Sequence, residues 1–479
     1  MQGEPGAATA DRVSAVEARS ATLRKELGLR DLVLTQILYV VGSGWVGTAA
    51  KLGPSHLVYW CLAILLFYLP QAAVVIYLNR MMPLEGGIYQ WASAGLGEFL
   101  GFLVAWNLWA YTVLIMAMFG VMIANNLAYL VEPIVPWLTG ASGYTTAVSA
   151  TTIVALTVVS LLGLRVGKWL QNLGGAAQFL TYMALILVPF VALQRGTVSD
   201  HHPFRVALPA LSLLSLNIFG KMAMGALSGF EYVAILAGEC RSPARSIGRA
   251  VLIAAPIIAA MFILGTGSVL TLVPQDRIDL ISPIPQTLGI GFGISGGARL
   301  LVPLLILALL LRQIGNVALI FAGNSRLPMV AGWDRLLPAW FTRLHPRFRT
   351  PRNSILFVGG LTLVLALAGQ VGVGVQEAFQ LLENAGGIFY AFTYLALFAI
   401  PIAGVRRLGV RPPLWLRAAS ACGFAVTLLY AVLSVFPIIE VANWRVFAGK
   451  IIAVLLAGNL IGVGIYALAR RGSRQKHAV

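Results

Sequence analysis

The sequence contains little charge. Asp, Glu, Lys and Arg make up 11% of its 479 residues, whereas soluble domains carry about 25% of these residues. Five long stretches contain none of them: Phe99–Val131, Pro133–Leu164, Trp169–Gln194, Asn353–Gln376 and Asn384–Val405. Each is longer than the roughly 20 apolar residues that a helix needs to cross a bilayer. These runs exclude a soluble protein and predict an all-α polytopic membrane protein. The sequence also lacks the short-period alternation of polar and apolar residues that a membrane β-barrel would show.

Cysteine is scarce too. Cys61, Cys240 and Cys422 are the only three, and their spacing matches neither a zinc site nor a disulfide framework. Histidine offers no metal site either, because His201 and His202 are adjacent and precede a proline, which is typical of a loop. Since no catalytic cluster is found, the sequence predicts that the protein is not an enzyme and uses no cofactor or metal.

Acidic residues are half as numerous as basic ones, 17 against 34, so the net charge is +17. In a twelve-helix arrangement with both ends inside, 25 basic residues fall in inside segments and 7 in outside segments. Cytoplasmic loops carry such an excess of Lys and Arg. The basic excess therefore predicts an orientation in a plasma or inner membrane rather than a nucleic-acid partner. It places both termini and the Arg326–Arg352 loop in the cytoplasm.

Twelve transmembrane helices are predicted from the apolar runs. They cover residues 31–50, 57–79, 99–130, 145–164, 169–194, 208–238, 247–273, 298–325, 353–371, 378–403, 416–437 and 446–469. The first run follows about 30 mostly polar residues, unlike the start of a cleavable signal peptide. The predicted units are a cytoplasmic tail (1–30), helices one to five (31–196), helices six to ten (197–405), helices eleven and twelve (406–469) and a second cytoplasmic tail (470–479).

Two motifs lie between these helices. Glu85–Glu98 predicts a short interfacial helix on the inside, with Tyr89 and Trp91 as membrane anchors. Ser282–Gly297 is rich in proline and glycine, and we expect it to form a partly re-entrant cap on the outside.

Helices one and six are both interrupted by small residues near their middle. The interruptions read VVGSGWVG at Val40–Gly47 and GALSG at Gly225–Gly229. Because they lie five helices apart, the second group of five must enter the membrane from the opposite side, which makes an inverted repeat. Paired breaks of this kind indicate a transporter binding site, since irregular backbone is tolerated in a membrane only where it lines a cavity or is buried in protein. A zwitterionic amino acid fits both ends of such breaks. The alternative is that these glycines serve only close helix packing.

The sequence resembles the amino acid–polyamine–organocation (APC) superfamily of transporters. The motifs that carry the resemblance are GSG at Gly42–Gly44, PLEGGIYQW at Pro83–Trp91, GEFLGFLVAW at Gly97–Trp106, GFE at Gly229–Glu231, AGECRSPARSIGRA at Ala237–Ala250, and SRLPMVAGWDRLLPAWFTRLHPRFRTP at Ser325–Pro351. The resemblance implies the LeuT-type fold, which has a five-plus-five inverted repeat with broken helices one and six, followed by two C-terminal helices. It also implies transport by alternating access.

The resemblance also implies a substrate site at the two breaks. Ser43, Gly44 and Trp45 would offer N–H groups to a substrate carboxylate, whereas Val40, Gly225 and Ser228 would surround its ammonium group or form a gate. Gly42 and Gly229 complete the two breaks. Many members carry an aromatic lid on helix six where this chain has Gly225, so Trp45 or Phe230 is expected to replace it.

Four charged residues fall inside predicted helices, where a charge costs about 2.5–3.5 kcal/mol. Glu231 follows the break in helix six, and we interpret it as the protonatable switch, with Glu383 as the next candidate. The alternative is a structural Glu231 bonded to nearby backbone N–H groups. Lys221 and Arg312 are interpreted as ion-pair partners, for example Arg312 with Glu383. Alternatively, one of them faces the pocket and holds an acidic side chain.

Sodium coupling is not expected. In sodium-coupled proteins with the LeuT-type fold, hydroxyl residues on helix eight bind the ion. The corresponding segment of this chain, Arg312–Asn324, contains neither Ser nor Thr. Some proton-dependent members place a Lys on helix five instead, where this chain has Gln178. Proton coupling through Glu231, or exchange of two substrates, remains.

Three functions stay open. The first is an amino acid permease that works as a symporter or antiporter, and the second is a polyamine or other organocation carrier, which Lys221 and Arg312 would repel. The third is a membrane nutrient receptor or scaffold that does not transport.

Overall fold

A computed structural model gives the structure of most of the chain. It describes residues 14, 18, 25, 27–139, 143–162, 164–196, 206–293, 298–325, 328–329, 337–348, 350–368, 370, 374–403 and 411–476. His201, His202 and most of the predicted N-terminal tail lie outside the described residues, as does much of the Arg326–Arg352 loop.

The described chain is helical. This is expected of a chain in lipid, because a helix satisfies its own backbone hydrogen bonds. The α-helices in chain order are α1 Leu29–Val40, α2 Gly44–Ala50, α3 His56–Ala63, α4 Leu69–Met81, α5 Ile88–Leu96, α6 Glu98–Val131, α7 Pro136–Thr139, α8 Tyr144–Leu161, α9 Leu164–Arg195, α10 Leu213–Gly220, α11 Tyr232–Ile235, α12 Pro243–Leu272, α13 Pro283–Phe292, α14 Ala298–Asn324, α15 Arg352–Ala368, α16 Val375–Ala403, α17 Leu414–Leu433 and α18 Trp444–Lys476. One π-helical turn, Ile64–Tyr68, joins α3 to α4, and another, Lys221–Ala226, follows α10.

The prediction of an all-α polytopic membrane protein is confirmed. Among the described residues, nine helices are long and apolar enough to span a membrane, or ten if α1 and α2 count as one bent span. The shorter apolar helices Leu213–Ala226 and Arg352–Ala368 fall where the sixth and ninth spans are predicted. The total of twelve spans stays a prediction.

Both predicted helix breaks are present. α1 ends at Val40, α2 begins at Gly44, and the two helices are bent by 48°. The sixth helix passes from α10 through the π-helical turn and leaves helical geometry before α11 begins at Tyr232. π-Helical turns inside helices frequently occur at functional sites. The central residue of this second break, Gly229, has a φ of +125°.

The broken helices lie inside the helix bundle. α1 packs against α9 and α12, and α2 packs against α12 and the helix-six turn. α9 runs along α14, while α6 runs along α16. α13, the described part of the predicted cap, packs against α9, α12 and α14. The two breaks are therefore enclosed by protein.

Tyr89 and Trp91 are not membrane anchors. Both residues of α5 are buried, with 1% and 0% of their surface exposed. The indole N–H of Trp91 donates to the carbonyl of Met82 at 2.8 Å. The preceding loop folds onto the sixth helix, where the N–H of Gly86 donates to the carbonyl of Ile235 at 3.2 Å. This backbone contact ties the loop before α5 to the sixth helix, a pairing that the sequence pattern did not reveal. At the other end of the chain, α18 extends as helix to Lys476, into the segment predicted as a tail.

Candidate functional site

A small cavity of about 70 Å³ lies between the two breaks. A volume of this size can hold several water-sized groups. Six residues singled out in the sequence line it: Val40, Gly42, Trp45, Gly225, Ser228 and Glu383. Tyr39, Tyr111, Phe119, Tyr390 and Tyr430 add aromatic walls, and Asn316 adds an amide. The cavity thus combines both broken helices with side chains from α6, α14, α16 and α17.

The indole of Trp45 lies against Gly225. A Cβ atom built on Gly225 would be 2.5 Å from Cη2 of Trp45, so a side chain fits there only if the indole moves. The space expected for an aromatic lid on helix six is therefore filled from helix one. Phe230 does not line the cavity, because it is fully buried and stacks on Tyr68 with ring centroids 4.7 Å apart.

The break in helix one is held from behind the cavity by Arg312. Its Nη1 donates to the carbonyl of Val41 at 3.1 Å, and its Nη2 donates to Oγ of Ser43 at 3.0 Å. The hydroxyl of Tyr182 donates to the carbonyl of Gly42 at 3.1 Å. The Ser43 hydroxyl itself points to the sulfur of Met122 at 3.6 Å. These contacts pair the carbonyls of Val41 and Gly42 and the hydroxyl of Ser43 with protein groups.

Ser43 and Gly44 are not among the residues that line the cavity. Ser43 is 1% exposed, and a Cβ on Gly44 would lie 3.2 Å from the carbonyl of Leu280. α2 nevertheless begins at Gly44, and the first N–H groups of a helix lack intrahelical acceptors. A contact of Ser43 or Gly44 with substrate through the backbone stays a prediction.

The break in helix six is closed by two glutamines and a tyrosine. The N–H of Gly229 donates to Oη of Tyr394 at 2.7 Å and to Oε1 of Gln71 at 3.3 Å. Nε2 of Gln71 donates to the carbonyl of Leu227 at 2.6 Å, and Nε2 of Gln36 donates to the carbonyl of Gly229 at 2.9 Å. Gly229 does not line the cavity. The backbone N–H and carbonyl of Gly229 are hydrogen-bonded to side chains. A glycine is needed at this position because φ is positive and because a Cβ would lie 2.5 Å from a ring atom of Tyr39.

Glu231 is bonded to tyrosines. It is fully buried, and its two carboxylate oxygens accept hydrogen bonds from the hydroxyls of Tyr390 and Tyr394. Tyr390 lines the cavity and stacks on Tyr111 with centroids 4.2 Å apart. One tyrosine thus separates Glu231 from the cavity. A change at the carboxylate can reach the cavity wall through the hydrogen bond from Tyr390.

Lys221 is the ion-pair partner of Glu383. Its Nζ lies 3.3 Å from Oε2 of Glu383 and also bonds Oδ1 of Asn384. Gln380 donates to the same carboxylate oxygen at 3.1 Å. The predicted pairing of Arg312 with Glu383 is wrong, because the side chain of Arg312 is directed to the helix-one break. Neither Lys221 nor Arg312 is among the cavity-lining residues.

Several residues of the site escaped sequence reasoning. Gln36 and Gln71 are single amides in apolar helices, and Tyr390 and Tyr394 are four residues apart on α16. Residues at this spacing lie on one helix face, so the sequence could have shown that the two tyrosines act together. It could not have shown which residues that face contacts.

Comparisons with known proteins agree with the fold. The model of a family described as amino acid permease matches residues 27–463. An uncharacterised transporter of Legionella pneumophila is 26% identical over 381 residues, 79% of this chain and 81% of that protein. The human b(0,+)-type amino acid transporter 1 is 23% identical over 441 residues, 90% of this chain and 86% of that protein. The crystal structure of MhsT in complex with L-phenylalanine has the same fold, with a TM-score of 0.62 at 13% identity over 86% of this chain and 98% of that one.

Proposed function

We propose that this protein carries amino acids by alternating access, through the cavity between its two helix breaks. The premise is that the chain belongs to the amino acid permease family, and so is an integral membrane transporter rather than an enzyme. The observation that carries the proposal is that both broken helices contribute walls to one cavity. Broken helices in two repeats are the usual place for substrate in transporters of this architecture.

The cavity favours a zwitterion. α2 begins at Gly44, between the lining residues Gly42 and Trp45, and the positive end of a half-helix attracts a carboxylate. Val40 and Ser228 lie on the cavity wall, where backbone and hydroxyl oxygens suit an ammonium group. MhsT, which has the same fold, was crystallised with L-phenylalanine, which is a zwitterion of this kind.

The cavity also favours a neutral amino acid over a polycation. Glu383 is the only carboxylate among the lining residues, and it is already paired with Lys221. Trp45, Tyr111, Phe119 and Ile320 make much of the remaining wall apolar. A polyamine would have to compete with Lys221 for the same carboxylate.

Ligand binding separates these candidates. Purified protein is heated with a panel of neutral, acidic and basic amino acids and with polyamines. A true ligand at 100 times its dissociation constant stabilises the folded protein by about 2.7 kcal/mol. We expect a neutral amino acid to raise the unfolding temperature and to move across proteoliposomes. Stabilisation by polyamines alone would favour the organocation carrier, and binding without flux would favour the receptor.

We propose that transport is driven by a proton gradient or by exchange with a second substrate. We also propose that the protein lies in a plasma or inner membrane. The cluster of Glu231, Tyr390 and Tyr394 next to the cavity supports proton coupling. Uptake into proteoliposomes under an imposed pH gradient tests this coupling. Uptake that ignores the gradient but requires substrate on the far side would indicate exchange.

Both termini are proposed to be cytoplasmic, on the basis of the 25 inside and 7 outside basic residues. A variant without the three native cysteines and with one new cysteine near Arg335 tests this orientation. An impermeant thiol reagent should label it only after the membrane is opened. Labelling from outside intact cells would show that this loop is extracellular and that the proposed orientation is wrong.

A further inference from the structure

Arg312 is a buried cation that has no acidic partner within the described residues. The side chain is fully buried in the middle of α14. Its two bonded nitrogens reach the carbonyl of Val41 and the hydroxyl of Ser43. An isolated charge is costly to bury unless dipoles or counter-charges compensate it. A purely structural link between two helices would not require a charge at this position.

The compensation comes from the end of a half-helix. Val41 is the C-cap residue that directly follows α1, and the last carbonyls of a helix carry partial negative charge. In transporters with broken helices, carbonyls at such ends coordinate the coupling ion, which is Na⁺ or H⁺. Here the Val41 carbonyl is occupied by the guanidinium, and the Gly42 carbonyl is occupied by the hydroxyl of Tyr182.

We propose that Arg312 is a fixed internal cation, which holds the helix-one break in the place of a bound metal ion and so positions Trp45 and the start of α2 for the substrate. This inference rests on the proposed transport function. It makes Arg312 a positioning residue, because the guanidinium acts through Val41 and Ser43 and does not line the cavity. The charge is supplied by α14 rather than by the helix-five position, which Gln178 occupies.

The proposal makes transport independent of metal cations in the wild-type protein. Uptake should be the same in sodium, potassium and choline salts. Uptake that requires sodium would overturn the proposal, because a separate ion would then supply the charge.

Three variants distinguish the charge from the hydrogen bonds. Arg312→Gln keeps polar contacts without the charge, Arg312→Lys keeps the charge, and Arg312→Ala removes both. We expect the variants Arg312→Gln and Arg312→Ala to lower uptake roughly tenfold or more, because this is the size of the loss when a hydrogen bond to a charged group is removed. Lys should retain more uptake than Gln. Equal uptake by the Lys and Gln variants would reduce Arg312 to a structural link and would overturn the proposal.

Rescue by a small cation gives the second readout. Millimolar guanidinium should restore uptake by Arg312→Ala, whereas urea at the same concentration should not. The matched control is Arg277→Ala, which removes an arginine whose side chain is 79% exposed and should not respond to guanidinium. Absence of rescue in a folded Arg312→Ala protein would overturn the proposal.

Thermal unfolding separates this proposal from the proposed function. Guanidinium should raise the unfolding temperature of Arg312→Ala but not that of the wild type or of Arg277→Ala. If the wild type moves no substrate while this selective stabilisation is observed, the transport function fails and the fixed cation stands. If transport is observed without selective stabilisation or rescue, the fixed cation fails and the transport function stands.

Discussion

The indole ring of Trp45 occupies the space that a side chain at position 225 would need, with Cη2 2.5 Å from the place of a Cβ on Gly225. Residues from the two halves of the chain thus complement each other in size. Because Trp45 also lines the cavity, this pair is where the volume available to substrate is set.

The first prediction concerns this pair. Gly225→Phe should weaken substrate binding about fivefold or more, because overpacking a close contact costs about 1–3 kcal/mol and the ring would enter the cavity. Adding Trp45→Ala should recover part of the affinity, since the aromatic ring then comes from helix six. Ligand affinity from thermal shifts measures both effects. Undiminished affinity in Gly225→Phe alone would mean that Trp45 moves freely and does not define the cavity.

The second prediction concerns Glu231. Glu231→Gln keeps the size of the side chain but removes the titratable group, so the variant should lose the pH dependence of uptake in the mildly acidic to neutral range while binding changes less. The measurement is the initial rate of uptake into proteoliposomes with and without a proton gradient.

The matched variant for this test is Tyr390→Phe, which removes one hydroxyl donor to Glu231 and leaves the carboxylate. It should retain a pH response with an altered midpoint. A wild-type pH profile in Glu231→Gln would place the switch elsewhere, and Glu383 would be tested next.

The third prediction concerns Gly229. Gly229→Ala should destabilise the protein by at least about 1–2 kcal/mol, the cost of a left-handed backbone for a residue with a Cβ, and the contact with Tyr39 adds to this cost. Thermal unfolding in detergent measures the loss. Gly289→Ala is the control, because a Cβ at that helical glycine meets no atom within 4 Å. Equal stability of the two variants would show that the break tolerates a side chain.

The fourth prediction concerns the pair of Lys221 and Glu383. Lys221→Met should destabilise the protein by about 3–5 kcal/mol, because removing one partner leaves a buried charge unpaired. The double variant Lys221→Met with Glu383→Gln should recover much of this stability. If the double variant is no more stable than Lys221→Met alone, the two side chains are not coupled and the lysine matters for another reason.

The class of the protein and the position of both helix breaks could be predicted from the sequence. Charge-free runs can be read directly, because only a membrane makes 22 or more consecutive uncharged residues advantageous so many times in one chain. Gly42, Gly44, Gly225 and Gly229 could also be read, because glycine inside an apolar helix lowers its stability and needs a reason.

The partners of these residues were decided by the tertiary structure alone. Gln71 reaches Gly229 across 158 positions of the chain, and Arg312 reaches Val41 across 271. Helical periodicity assigns a residue to a face, but it does not say which helix that face meets. For this reason the sequence predicted that Arg312 needs a partner and named Glu383, whereas helix packing directed Arg312 to the first break and Lys221 to Glu383.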